Sequence, residues 1–332
     1  MKRNLLILIA MMMTTTSFSQ YKPAGDKIKT DWASEVVPEN VLPEYPRPLM
    51  VRPTWKNLNG LWQYAITPKG EKTPTAYEGD ILVPFCIESS LSGVQKTVGQ
   101  DSALWYEKTF AVPNEWKNDR VLLHFGAVDW MTDVWVNGVK VGSHTGGYTP
   151  FTFDITQALA GKNNKLVVRV WDPTDKSYVP RGKQVSNPEG IFYTAVTGIW
   201  QTVWLEPVPD AYIKSINTTP DLDKATVKVD IDFSNPTADD LYWVDVIYEG
   251  EKVAEGKSIN GQPVEVNMPE GFLTWTPDHP FLYDLKIKVF RKGKQIDAVD
   301  SYFAMRSFGT QRDDNGIVRL TLNGKPVFHY GP

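Results

Sequence analysis

Residues 121–156, VLLHFGAVDWMTDVWVNGVKVGSHTGGYTPFTFDIT, restrict the possible folds more than any other part of the chain. Val121-Leu122-Leu123-His124-Phe125 is an apolar run of strand length. Val134, Val136, Val139 and Val141 flank Asn137-Gly138, a dipeptide that tolerates positive φ at both centres of a two-residue hairpin turn. A strand and then a hairpin are expected. Beyond Gly146-Gly147, which suits a tight bend better than a phosphate cradle, Phe151, Phe153 and Ile155 alternate with Thr152 and Asp154 as in a strand buried on one face. A second sheet has to cover that face.

The length of 332 residues leaves room for about two domains. Aromatics make up 12% of the chain and Gly and Pro are 24 each, a mixture that favours many short strands joined by turns over helical bundles. The net charge of −4, with no long basic run, makes nucleic acid a poor partner. Met1-Lys2-Arg3, the apolar residues 5–13 and Ser17-Phe18-Ser19 have the layout of a signal peptide, residues 1–19, so a periplasmic or secreted protein is expected. That apolar run is too short for a transmembrane segment, and no later stretch is long enough. The single cysteine, Cys86, sits in the apolar run 81–87 and reads as a small core residue, with no intrachain disulfide to form.

From residue 20 to 46 prolines dominate and periodicity is weak, so an extended arm is expected, with Trp32 as an anchor. Leu58-Asn59-Gly60-Leu61-Trp62 opens a strand, and the runs 81–85 and 104–110 supply others. Asp154 or Thr156 can cap a short helix at residues 157–160, ended by Gly161. Residues 165–171, KLVVRVW, form the next strand, and 172–192 is the longest irregular segment. Long loops in compact domains are disproportionately functional. Trp200 and Trp204 read as core residues of a closing strand. Strands at 225–233, 242–248, 264–268 and 285–290, with turns at Asn235-Pro236 and Glu249-Gly250, then predict a second antiparallel sandwich.

Several of these segments resemble, in collinear order, the domains that open family 2 glycoside hydrolases, the β-galactosidase and β-glucuronidase group. They are Leu58-Asn59-Gly60-Leu61-Trp62, the 121–156 stretch, Gly198-Ile199-Trp200-Gln201 with Gln where arginine is usual, residues 275–285 (WTPDHPFLYDL), and 302–308 with Ala304 in place of glycine. The resemblance implies an all-β chain: a jelly-roll-like, galactose-binding-type β-sandwich over 47–208, then an immunoglobulin-like β-sandwich over 209–312. Residues 313–332 resemble the lead-in to a catalytic (β/α)8 barrel.

Glycoside hydrolysis needs two positioned carboxyl groups, and in the family resembled both are barrel glutamates. No catalytic residue is therefore assigned, and these 332 residues alone are expected to be inactive. The histidines at 124, 144, 279 and 329 lack ligand spacing, so neither metal nor cofactor is expected. The expected partners are a carbohydrate, as a β-linked glycoside, and the barrel; oligomeric state is left open. Sugar contact needs hydrogen-bonding groups beside aromatic faces. Asp129 with Trp130, and Asp172 with Asp175 on the loop after KLVVRVW, are the candidates, Asp172 standing nearest the position of a family aspartate that reaches the sugar. For Asp172 the competing reading is a turn-stabilising carboxylate. A free-standing carbohydrate-binding or cell-surface adhesion module is the alternative function, since sandwiches serve many roles. A glycosidase origin further predicts an exposed apolar patch near Trp204, Phe308 and Phe328.

Overall fold

Asn137 and Gly138 take φ of +50° and +81°, and the two-residue turn closes Met131–Val136 onto Val139–Thr145 as expected. The protein is described as a computed structural model covering residues 21–328 and Gly331; the expected signal peptide lies outside the described residues. The hairpin forms one edge of a six-stranded antiparallel sheet whose other strands are Asn163–Trp171, Ser102–Ala111, Gly60–Pro68 and, at the far edge, Gly79–Val83. A four-stranded sheet of Lys56–Asn57, Val203–Val208, Arg120–Phe125 and Phe151–Asp154 covers it. Between the layers lie Trp62, Leu104, Tyr106, Leu123, Phe125 and Val168, all essentially buried. Each such aliphatic or aromatic side chain contributes roughly 1.5–3 kcal/mol by leaving water.

The second sandwich has sheets of three and four strands. The expected strands appear as Thr226–Phe233, Asp240–Tyr248, Val264–Asn267 and Tyr283–Arg291. Three more were not expected: Ile213–Asp221, Glu251–Ile259 and Lys294–Phe303. All three are edge strands in the sheet order, where charged and polar residues discourage further pairing and blur the apolar alternation.

Residues 45–52, where the arm meets the first sandwich, stitch the two sandwiches together. Val51 pairs with Asp300 beside the edge strand Lys294–Phe303, and the buried Arg52 guanidinium reaches both Asp297 oxygens at 2.6 and 2.8 Å. Arg47 and the Tyr45 hydroxyl both reach Glu206 of the first sandwich. Trp32, in contrast, is 70% exposed and anchors nothing; Tyr21 anchors that end by donating to Leu91 O at 2.7 Å. The expected helix at 157–160 is a single 3-10 turn, Thr156–Ala158, because Asp154 binds the Thr156 N–H and hydroxyl and tightens the chain before a helix can propagate. Trp200 lies outside the strands and is only half-buried. Of the residues expected in an apolar patch, Phe308 and Phe328 are exposed, as are Leu282, Val318 and Leu320. Trp204 takes no part in it: at 3% exposure it stacks on His124 with centroids 4.8 Å apart. Among the described residues no helix is long and apolar enough to cross a membrane.

Candidate functional site

The strand Asn163–Trp171 ends at Asp172-Pro173, where the fixed proline φ stops sheet pairing and the long loop begins. The Asp172 side chain folds back at once, accepting from the Thr174 N–H at 2.7 Å, and Thr174 itself takes a φ of +52°. Its second oxygen accepts from the Thr197 hydroxyl at 3.1 Å, at the far end of the same loop. The loop is thus tied shut at its base. Thr197 N–H in turn donates to Glu88 Oε2 at 2.9 Å, while Glu88 Oε1 is buried without a hydrogen-bond partner.

Asp129 stands beside this knot because Val128–Asp129 pairs with Gly198–Ile199, the chain just past Thr197. The Asp129–Trp130 peptide is cis. Asp129 Oδ2 accepts from Gln184 Nε2 at 3.2 Å, and Gln184 Oε1 accepts from Val196 N–H at 2.6 Å, so a single side chain bridges three parts of the loop region. Gly147 packs on the Asp129 carboxyl so closely that a Cβ there would fall 2.5 Å from an oxygen. The Gly147 carbonyl accepts from the Trp200 indole at 2.8 Å, and Tyr148 meets the Trp200 ring edge-on. The Gly146-Gly147 bend therefore serves a close approach to a carboxyl.

The electrostatics follow from the partners. Burial pushes Asp129 up to about 7, helped by the charge of Asp172 and opposed by Gln184. Glu88 is likewise pushed up to about 7, by burial first, with the Thr197 N–H opposing and Asp172 adding repulsion. Burial also raises Asp172, against the Thr174 and Thr197 bonds. Asp175 behaves oppositely: the Ser186 hydroxyl at 2.5 Å, then Lys176, hold it at about 2. Three buried carboxyls thus share one neighbourhood with only neutral donors, and one carboxylate on the loop stays ionised.

Of the four residues expected to contact sugar, Asp129 and Asp172 are 4% and 2% exposed and face inward, whereas Trp130 and Asp175 are partly open to solvent. Asp129 and Asp172 share an electrostatic neighbourhood; Asp175 sits apart, held by Ser186. Sequence reasoning missed Glu88, Gln184 and Thr197, which lie far apart along the chain. It also missed the exposed rings of Tyr148, Phe192 and Tyr193 on the same loops. Their aromatic clustering in an otherwise polar segment was the available signal. Among the described residues, no three His, Cys, Asp or Glu side chains are placed to hold a metal ion. Burial pushes the Cys86 thiol up to about 11, which keeps it protonated.

Residues 55–209 match the description "Glycosyl hydrolases family 2, sugar binding domain", and residues 211–306 match "Glycosyl hydrolases family 2". A β-galactosidase of Thermoanaerobacter pseudethanolicus is 30% identical over 234 residues, covering 67% of this chain and 30% of that protein. A β-glucuronidase of Paenibacillus borealis is 27% identical over 303 residues, covering 83% and 48%. Among solved structures, a β-glucuronidase from Ruminococcus gnavus in complex with D-glucuronic acid shares the fold with a TM-score of 0.68 at 21% identity, over 87% of this chain and 52% of that one. The chain spans about half or less of the length of these relatives. Two adjoining matches in the same order, together with the two sandwiches, place the chain in glycosyl hydrolase family 2.

Proposed function

We propose that the two sandwiches are the non-catalytic, substrate-facing portion of an exported β-galactosidase-like glycosidase, which hydrolyses a terminal β-linked sugar. The observation that carries this reading is the collinear family match across 55–306. In retaining hydrolysis one carboxyl group protonates the leaving oxygen and a second, ~5–5.5 Å away, attacks the anomeric carbon. The reading assigns neither role to residues 21–328 and takes both from a (β/α)8 barrel. Supporting it, Leu49, Leu282, Phe308 and Arg306 line an apolar cleft of about 690 Å³ beside the hairpin of Phe308–Arg312 and Val318–Leu322. A barrel seated there would cover surface that is costly to leave in water. The knotted loop at 172–197 is then a rigid arm, with Trp130, Asp175 and the exposed Tyr148 and Tyr193 as its sugar-facing groups, and Asp129 and Asp172 as the groups that hold it.

The test is hydrolysis of chromogenic β-galactoside and β-glucuronide by residues 20–332, beside the same chain joined to a family 2 barrel. Turnover only by the joined protein is expected, and the preferred glycoside names the sugar. Turnover by residues 20–332 alone would overturn the assignment of both carboxyls to the barrel. Sugar binding without turnover by either protein would favour a carbohydrate-binding module.

A further inference from the structure

The outer face of the four-stranded sheet in the second sandwich carries a feature that its fold does not require. Along Asp240–Tyr248 the inward residues Tyr242, Val244 and Val246 belong to the core, while Leu241 and Trp243 alternate outward. Leu241 pairs with Phe290 of the neighbouring strand, and the rings of Trp243 and Phe290 lie 5.9 Å apart, tilted by 45°. Between them opens a cleft of about 620 Å³, lined by Asp239, Leu241, Trp243, Phe290, Lys292 and Gly293.

We infer that this cleft binds a neutral oligosaccharide. Two aromatic rings at an angle offer faces to the C–H surfaces of a pyranose. At the rim, Lys292 and Asp239 stand 4.0 Å apart with side chains 80% and 61% exposed, too far for a direct hydrogen bond and free to take sugar hydroxyls. The lysines around the cleft are engaged by carboxylates. Lys252 and Lys257 are held by Glu255, and Lys288 by Asp245, which also accepts from the Trp243 indole. Three lysines share two carboxylates there, so the excess is a single positive charge, a weak field for a polyanion.

The Lys257 ammonium sits 3.6 Å over the Trp243 ring, but a long lysine side chain is flexible enough to yield to a sugar. The volume falls in the ~300–1,000 Å³ range of small-ligand sites. Three apolar side chains fall well short of the ~800 Å² per partner that a stable protein interface covers. The inference goes beyond the proposed function: it concerns binding, and no hydrolysis enters its test.

Isothermal titration of residues 20–332 with β-1,4-linked hexamers of glucose, xylose and galactose tests it, with Trp243→Ala and the double variant Asp239→Ala/Lys292→Ala run alongside. At least one hexamer is expected to bind, with affinity unchanged between low and high salt. Trp243→Ala should weaken that binding about tenfold or more, and the rim double variant about threefold or more. Because Asp239 and Lys292 are exposed, the double variant decides the matter if Trp243→Ala does not fold. Absence of binding to every hexamer would overturn the inference, as would binding that neither folded variant alters. Binding confined to polygalacturonate and falling steeply with salt would also overturn it, in favour of an acidic ligand.

Discussion

Two sets of buried carboxyl groups in this molecule titrate in opposite directions. At the seam between the sandwiches, Glu206 is fully buried, which by itself would raise its pKa. The His124 ring, the Arg47 guanidinium and the Tyr45 hydroxyl overcome that and hold it at about 2. Under the loop of the first sandwich, Asp129 and Glu88 are buried almost as completely, yet both are pushed up to about 7. Their partners there are Gln184 and Thr197, which donate hydrogen bonds without charge. Burial sets the direction only until a cation comes within reach. The seam is built to stay ionised, while the loop base is built from carboxyls that share too few compensating groups.

The seam side of this contrast breaks most severely when the cation is removed. Arg52→Ala leaves Asp297 buried and unpaired, and should cost about 3–5 kcal/mol in urea denaturation at pH 7. Replacing both partners, as Arg52→Met with Asp297→Leu, should recover most of that loss, because an apolar pair carries no charge to desolvate. A double replacement as unstable as Arg52→Ala would mean that the bonds to the Ile213 backbone, from Arg52 to its carbonyl at 3.0 Å and from its N–H to Asp297 at 2.7 Å, matter more than the ion pair.

Glu206→Gln probes the same side by pH. Its folded pKa of about 2 lies below the ordinary glutamate value of 4.5. Its contribution is therefore present above pH 4.5 and lost as pH falls through about 2. The variant should be less stable by about 3 kcal/mol at pH 6 and indistinguishable from the parent near pH 2.

Asp129→Asn sharpens the other side, with the opposite sign. A carboxyl raised from 3.8 to about 7 favours folding while protonated, so that contribution is complete below pH 3.8 and lost as pH rises through about 7. The amide keeps an acceptor for Gln184 and removes the titration. At pH 8 the variant should gain on the order of 2 kcal/mol over the parent, and at pH 4 the two should coincide. A loss at both pH values would show that a cation or a bound group compensates Asp129 in solution.

The sandwich cores and the Asn137-Gly138 hairpin were legible because each follows from a local period or a local turn preference. Edge strands such as Glu251–Ile259 were not, since exposure on one side and Lys252 and Lys257 along the strand erase the alternation that marks a buried face. The loop base was only half legible. Asp129 and Asp172 could be picked out as carboxyls beside aromatics or at a turn. Glu88 and Thr197, 109 positions apart, come together only through sheet pairing that no local window contains. The exposure of Trp32 and the burial of Trp204 follow the same rule: whether an aromatic side chain is covered depends on what crosses above it.

The smallest expected effect lies on the loop itself, at Asp175, whose carboxylate is held at about 2 chiefly by the Ser186 hydroxyl. Being at the surface, it should add little to stability, so Ser186→Ala is expected to leave the denaturation midpoint unchanged. Its titration should nonetheless move. Without the hydroxyl, Lys176 at 3.3 Å and the Ser186 backbone N–H remain to favour the charged form, and the Asp175 midpoint followed by NMR should rise toward the ordinary 3.8. A midpoint that stays near 2 would assign the depression to Lys176 and the Ser186 N–H. A midpoint that rises while the midpoints of Asp129 and Glu88 stay in place would show that the exposed carboxylate and the buried carboxyls of this loop titrate independently. In that case the loop could change what it presents to a sugar without disturbing what ties it down.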